Sequence, residues 1–366
     1  MNNEKATLSV VVPCYNEEKT LRSCVEQLMK ISDETLALEI IIVDDCSADD
    51  SAKVAGDLAQ EYSCVLVLSH EINHGKGAAL RTGFAHASGD IVAVQDGDLE
   101  YDPQDLKRLL GPILSGRADV VIGSRFLASG THRVLYFWHS VANKILTLMS
   151  NMLTDINLTD MECCYKVFRA DVLKRIDIKE DRFGFEPEIV AKVARQRVRI
   201  YEMAISYYGR TYDEGKKITW KDAIRAVYCI LHYNVPYSPP LMQFFFYLIV
   251  GGTAALVNLI MFMAIYTISD NVYLAAPLAF VAAAVVNYFL CIAFIFKRGA
   301  KWRSTAELVV YFSVVFAIAL VDLFVTLQLI ETGFSPTAAK VIATTVALIG
   351  NFLGRRYVVF PLARWA

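Results

Sequence analysis

Three carboxylates stand within five residues in the stretch Val92-Ala93-Val94-Gln95-Asp96-Gly97-Asp98-Leu99-Glu100. Asp96 and Asp98 flank Gly97, and Glu100 follows two positions later. An apolar, β-like run ends at this cluster, and glycine there allows a tight turn without a Cβ. Oxygen ligands gathered at a strand end suit a hard divalent cation, Mg²⁺ or Mn²⁺. Such a cation can neutralise a diphosphate leaving group. Asp-Gly-Asp after a strand is also a common turn with solvated charges.

The elements that carry this cluster alternate regularly. Leu8–Pro13 reads as a buried strand followed by Cys14-Tyr15-Asn16-Glu17-Glu18, then a helix with Leu21, Val25, Leu28 and Met29 at helical spacing. Glu39–Val43 is a second strand ending at Asp44-Asp45-Cys46-Ser47, and a helix follows from Ser51 to Tyr62. Val65–Leu68 is a third strand, Asn73-His74-Gly75-Lys76-Gly77 opens a helix through Ala87, and Asp90–Gln95 is the fourth strand. This alternation predicts an α/β fold, a parallel sheet with helices on both faces. Ligands of such sheets sit at the carboxyl ends of strands. The polar clusters after Val12, Val43 and Val94 all fall there. Gly75-Lys76-Gly77 lacks the full phosphate-loop pattern and reads as a turn opening its helix.

Further on, Asp119–Gly123 predicts a strand ending at Ser124-Arg125, with Arg133 eight residues later. A helix is expected over Phe137–Leu153, near the membrane. Asp160 is expected to cap the segment after it. Strands are expected at Cys163–Phe168 and Arg199–Tyr207, with a helix between them to about Arg197. Asp213-Glu214-Gly215-Lys216-Lys217 is a loop. Trp220–Tyr233 has one apolar and one charged side, which fits an interfacial helix and equally a helix packed on the first domain.

The 366 residues are 55% hydrophobic, and the excess is concentrated late in the chain. Four candidate spans are Leu241–Tyr266, Val272–Phe296, Leu308–Ile330 and Ala338–Leu353. The first three exceed the length of about 20 residues that crosses a bilayer. The fourth needs Lys340, Arg355 and Arg356 to reach the interfaces. Asp322 lies inside a span, as a functional group or a helix–helix hydrogen bond. Lys297, Arg298, Lys301 and Arg303 occupy one loop, and Arg355, Arg356 and Arg364 follow the last span, whereas the other two loops hold no Lys or Arg. The positive-inside rule predicts a multi-pass protein with the first domain and both termini in the cytoplasm. Met1–Thr7 is polar, so no secretory signal is expected. The predicted divisions are residues 1–219, a helix and Pro-containing linker at 220–240, and a membrane domain at 241–366.

A net charge of −2 gives no support for nucleic acid, and the eight cysteines lack zinc-site spacing. They are expected to be reduced thiols.

Val11-Val12-Pro13-Cys14-Tyr15-Asn16-Glu17, Val43-Asp44-Asp45-Cys46-Ser47 and Asp96-Gly97-Asp98-Leu99-Glu100, in that order, resemble the motifs of family 2 glycosyltransferases of the GT-A fold. Gly123-Ser124-Arg125-Phe126 and Thr159-Asp160 fit the dolichyl-phosphate mannose synthase and polyprenyl-phosphate glycosyltransferase group. Gly251-Gly252, Asn258 and Asn351–Arg356 resemble a GtrA-like four-helix membrane domain. The resemblance implies a GT-A, Rossmann-like, mostly parallel sheet followed by an all-α transmembrane domain of four helices. Its implied activity is transfer of a hexose from a nucleotide sugar, GDP-mannose or UDP-glucose in type, to polyprenyl or dolichyl phosphate at the membrane, with inversion. It further implies that Pro13, Tyr15, Glu17, Val43 and Asp45 hold the nucleoside. Asp96, Gly97 and Asp98 form the motif for metal and diphosphate, and Glu100 stands where mannose synthases usually carry glutamine. Arg125 matches an arginine facing the phosphates, Arg133 a partner of the acceptor phosphate, and Arg210 with Lys216 a basic pair closing over the donor. Asp96, Asp98 and Arg125 are the implied catalytic residues, and Asp96, Asp98 and Glu100 the implied ligands of Mg²⁺ or Mn²⁺. A processive polysaccharide synthase and a lipid-linked sugar transporter are the competing readings; Arg364-Trp365 lacks the glutamine of the processive motif. A homo-oligomer is left open.

Overall fold

A computed structural model describes residues 5–127, 134, 136–209, 220–296 and 304–360. Arg133, Arg210 and Lys216 lie outside the described residues, as do the basic loop 297–303 and Arg364. The chain divides into two compact units, Met1–Asn234 and Val235–Ala366.

The first unit is built on seven strands: β1 Ala6–Cys14, β2 Leu36–Asp44, β3 Val65–Ser69, β4 Ile91–Val94, β5 Val120–Ser124, β6 Lys166–Arg169 and β7 Ile200–Ala204. They form one sheet in the order β3-β2-β1-β4-β6-β5-β7. Its helices are α1 Leu21–Met29, α2 Ser51–Glu61, α3 Lys76–His86, α4 Gln104–Leu114, α5 Phe137–Thr154, α6 Ala170–Leu173, α7 Phe185–Arg195 and α8 Trp220–Asn234. The central strands are apolar on both faces because helices cover both sides. Leu8, Val10, Val11 and Val12 of β1 and Ile40 to Val43 of β2 are fully buried.

β1 pairs in parallel with β2 on one side and β4 on the other. The chain therefore reverses its direction of strand addition between β1 and β4, which opens a crevice at their carboxyl ends. β6 is the departure from a purely parallel sheet: it runs antiparallel to both β4 and β5. Ala93 faces Val167 and Val92 faces Phe168. This reversal delivers the loop before β6, Asp160–Tyr165, to the edge where β4 ends.

The start of α3 is fixed by close backbone approach. Gly75 has φ of +104°, and a Cβ at Gly77 would lie 2.2 Å from the Glu180 carbonyl oxygen. The Ala78 N–H donates to the Asp181 carbonyl at 3.0 Å. Gly77→Ala is expected to force these backbones apart at a cost of about 2 kcal/mol, read as a fall of several degrees in Tm with the secondary-structure spectrum preserved.

α8 packs on α7 and α5, burying Ala226, Cys229 and Ile230. Ile224 on the same helix is exposed. α5 turns Phe137, Trp138, Ile145, Leu148 and Met152 to the outside.

The second unit contains α9 Pro240–Ser269, α10 Val272–Leu290, α11 Ser304–Glu331 and α12 Pro336–Gly354. Among the described residues, Pro240–Ser269 and Val309–Glu331 are long and apolar enough to cross a membrane. Two π-helical turns, Cys291–Ile295 and Arg355–Val359, follow α10 and α12. Buried Arg355 donates to Asn287 Oδ1 and sits 5.3 Å and 4.7 Å from the rings of Tyr247 and Tyr311. Asp322 Oδ1 accepts the Thr344 hydroxyl from the neighbouring helix at 3.4 Å, the helix–helix bond that was one of its two readings.

Candidate active site

The loop after β4 is anchored from below. Gln95 is fully buried, its Nε2 donating to the Asp96 carbonyl at 2.9 Å and its Oε1 accepting the Tyr165 hydroxyl at 2.6 Å. Leu99 adopts φ of +59°, and Asp98 Oδ1 accepts the Glu100 N–H at 3.1 Å. This short turn presents the half-buried Asp96, Asp98 and Glu100 at the crevice. Glu100 Oε2 accepts the Tyr207 hydroxyl at 2.9 Å. Burial, together with the Glu100 charge, raises the Tyr207 phenol.

The three carboxylates do not converge. Among the described residues, no group of three Asp, Glu, His or Cys side chains could hold a metal ion. The reason lies on α3. Lys76 Nζ is 3.0 Å from Asp96 Oδ1 and 3.2 Å from Oδ2, and it also pairs with Glu186 of α7 at 3.0 Å. Asp96 is thus drawn onto an ammonium, while Asp98 and Glu100 remain as hard oxygen donors two residues apart. Burial pulls the Lys76 ammonium down, but Asp96 and Glu186 outweigh it and hold it well above the ordinary lysine range.

Lys76, Glu186 and Glu162 were not foreseen as site residues. Glu162 lies in the loop delivered by β6, as does Cys164, whose thiol is raised by burial and the nearby Asp96 charge. Burial and the nearby Glu186 push the Glu162 carboxyl up to about 8. Among the described residues, Glu162 Oε1 and Glu186 Oε2 are buried with no hydrogen-bond partner. The one advance signal was Gly75-Lys76-Gly77, which places a lysine at the start of a helix at the correct sheet edge.

Arg125, just past β5, is closed on Asp160. Its Nε donates to Oδ2 at 2.6 Å and its Nη2 to Oδ1 at 2.7 Å. Asp160 is fully buried and takes a further bond from Asn143 at 3.3 Å. The Arg125 guanidinium also lies 5.2 Å from the Tyr207 ring centroid. Asp160 is therefore the bidentate partner of Arg125, where the sequence suggested a cap.

At the other end of the crevice, Tyr15 is exposed and Val43 is fully buried. The Glu17 N–H donates to Ser51 Oγ at 2.7 Å, and Pro13 is half-buried. Asp45 is buried, and its carboxylate accepts His70 Nδ1 at 2.7 Å and the N–H groups of His74 and Gly75 at 3.0 and 2.6 Å. It pins the loop that starts α3, and so helps to place Lys76. Its neighbour Asp44 has one buried oxygen with no hydrogen-bond partner among the described residues.

Residues 9–177 match the glycosyl transferase family 2 model, and residues 246–360 match the GtrA/DPMS transmembrane domain. An undecaprenyl-phosphate mannosyltransferase of Micrococcus luteus is 30% identical over 218 residues, covering 56% of this chain and 85% of that protein. A dolichyl-phosphate beta-glucosyltransferase of Trichomonas vaginalis is 28% identical over 246 residues, covering 63% and 73%. A solved structure of glucosyl-3-phosphoglycerate synthase from Mycobacterium tuberculosis with UDP is 20% identical, with a TM-score of 0.49 over 62% of this chain and 80% of that one.

Proposed function

The chain belongs to glycosyl transferase family 2, in the group that glycosylates polyprenyl phosphates, and on that premise we propose that it transfers a hexose from a nucleotide sugar to a polyprenyl or dolichyl phosphate with inversion. It is a membrane protein by its GtrA/DPMS transmembrane domain. The reading places the catalytic domain and both termini in the cytoplasm, with residues 1–219 catalytic, 220–240 joining, and 241–366 in the bilayer.

The observation that carries the mechanism is the acidic turn at the mouth of the β1–β4 crevice, with Lys76 and Arg125 held beside it. Asp98 and Glu100 have the hard-oxygen chemistry for Mg²⁺ or Mn²⁺, with Asp96 held alongside by Lys76. A divalent cation there would supply neutralisation of the departing diphosphate. Lys76 balances the charge of Asp96 and Glu186, and Asp160 fixes the plane of the Arg125 guanidinium next to Tyr207. A planar guanidinium held in this way suits phosphate oxygens. Pro13, Tyr15, Glu17, Val43 and Asp45 are assigned to the nucleoside end. Arg133, Arg210 and Lys216 are assigned to the phosphates.

The acceptor explains the absence of any need for a general base. A phosphomonoester has a second pKa near about 6, so the lipid phosphate is already an anionic nucleophile at neutral pH. The protein has to bring two anions together, which is a task of positioning and electrostatics. The exposed apolar face of α5 supports seating the catalytic unit on a bilayer.

The test uses the purified full chain with UDP- and GDP-hexoses, polyprenyl phosphate and Mg²⁺ or Mn²⁺, with mass spectrometry of the lipid fraction. One hexose joined to the lipid phosphate is expected. Polymer formation, or intact lipid with every donor, would overturn the reading.

A further inference from the structure

We propose that Glu162 and Glu186 receive the hydroxyls of the transferred sugar, and that this acidic receptor selects a neutral hexose over a hexuronic acid. The inference rests on the nucleotide-sugar reading above and adds the class of sugar.

Three observations carry it. The first is position. β6 runs antiparallel to β4, so the loop bearing Glu162 and Cys164 arrives where β4 ends. Lys76 pairs with both Asp96 and Glu186, and burial with the Asp96 charge raises the Cys164 thiol. Asp96 and Lys76 keep 20% and 16% of their side-chain surface exposed, so the cluster opens to the crevice through them. A sugar attached to a diphosphate at the acidic turn has its hydroxyls within the reach of this group.

The second is unmet hydrogen bonding. Among the described residues, Glu162 Oε1 and Glu186 Oε2 are buried without partners, and Glu186 is only 3% exposed. A buried oxygen without a donor carries its full desolvation penalty. Sugar hydroxyls are donors of the required kind, and a hydrogen bond to the ionised Glu186 is stronger than a neutral one.

The third is charge. Around the cluster stand the carboxyl groups of Asp96, Glu162 and Glu186 against the Lys76 ammonium. Among the described residues, Lys166 and Arg125, whose charges reach Glu162, are engaged elsewhere. Lys166 Nζ donates to the carbonyls of Met161 and Cys163, and Arg125 is closed on Asp160. Burial and Glu186 together already keep the Glu162 proton on up to about pH 8. A third carboxylate, carried on C6 of the sugar, would meet uncompensated repulsion. A neutral polyol meets none.

The experiment is calorimetric binding to the full chain in detergent, without acceptor. The probes are UDP, UDP-glucose and UDP-glucuronic acid, then GDP and GDP-mannose. For the base that binds, the hexose nucleotide is expected to bind about 10-fold more tightly than the nucleotide alone, and at least about 10-fold more tightly than the uronic acid form. Glu162→Gln, an isosteric change, is expected to erase most of the hexose advantage. Its affinity for the bare nucleotide is expected to stay within about 2-fold, which a merely structural role would not spare. Glu186→Gln is the second variant and should act in the same direction. Equal binding of hexose and uronate by the wild type, or a Glu162→Gln variant with its hexose advantage intact, would overturn the proposal. Because no lipid is present, selective binding without any transfer activity would count against the transferase reading alone.

Discussion

Asp98→Ala is expected to lower kcat/KM for hexose transfer by about 1,000-fold, and a chelator added to the wild type should produce a loss of the same order. The expectation follows from the turn after β4. Asp96 is committed to Lys76, so the hard-oxygen donors left on the turn are Asp98 and Glu100. Glu100 is steadied by the Tyr207 hydroxyl. Removing the Asp98 carboxylate takes away half of that pair and leaves the diphosphate charge uncompensated when the glycosidic bond breaks. The fold should tolerate the change, because Asp98 is half-buried and sits on a turn, where its Oδ1 accepts the Glu100 N–H. Tm within about 2 °C of wild type would be consistent with the small cost of losing a partly exposed turn bond. The decisive comparison is between variant and chelated wild type. If Asp98→Ala retains full activity in the presence of excess EDTA, the acidic turn has no part in the chemistry. If EDTA silences the wild type while Asp98→Ala is unaffected, the cation is held elsewhere.

Much of the scaffold was legible because buried parallel strands carry a strong signal. The buried, mostly apolar runs of β1, β2 and β4, with acidic residues at or just past their ends, could hardly belong to solvent-facing strands. α4 escaped notice: its apolar face is interrupted by Pro112, and its sequence follows directly on the acidic turn. The reversal of β6 was also hidden, since a short buried strand reads the same in either direction. That reversal had consequences, for it brings the loop carrying Glu162 and Cys164 to the edge where β4 ends. The pairings that define the site are long-range: Lys76 meets Asp96 twenty positions on, Asp160 meets Arg125 across 35, and Glu186 comes from a helix much later in the chain. Periodicity and short motifs hold no information about such partners. They told which edge of the sheet would be polar, but not which polar group would neutralise which.

Lys76 is where this missing information has its largest structural effect. Lys76→Met is expected to leave the Asp96 and Glu186 carboxylates facing one another with their shared cation gone. Breaking a buried ion pair by removing one partner costs about 3–5 kcal/mol. The partial exposure of Lys76 and Asp96 argues for the lower end, about 3 kcal/mol. For a unit of this size that corresponds to a fall in Tm of roughly 6–12 °C, measurable by thermal shift on the full chain. The double variant Lys76→Met with Glu186→Gln should recover at least half of the loss, because it removes one of the two uncompensated charges. Recovery would identify the loss as electrostatic, whereas an additive further fall would identify it as lost packing of the lysine stem. An unchanged Tm in the single variant would mean that the ion pair contributes nothing to folding. The restored double variant should still be poor at discriminating hexose from nucleotide, since it lacks one of the two proposed sugar receptors. Stability and sugar recognition would then part company in one protein, as expected if the carboxylates around Lys76 are kept for a ligand, since as a fold element the cluster costs buried, unsatisfied oxygens.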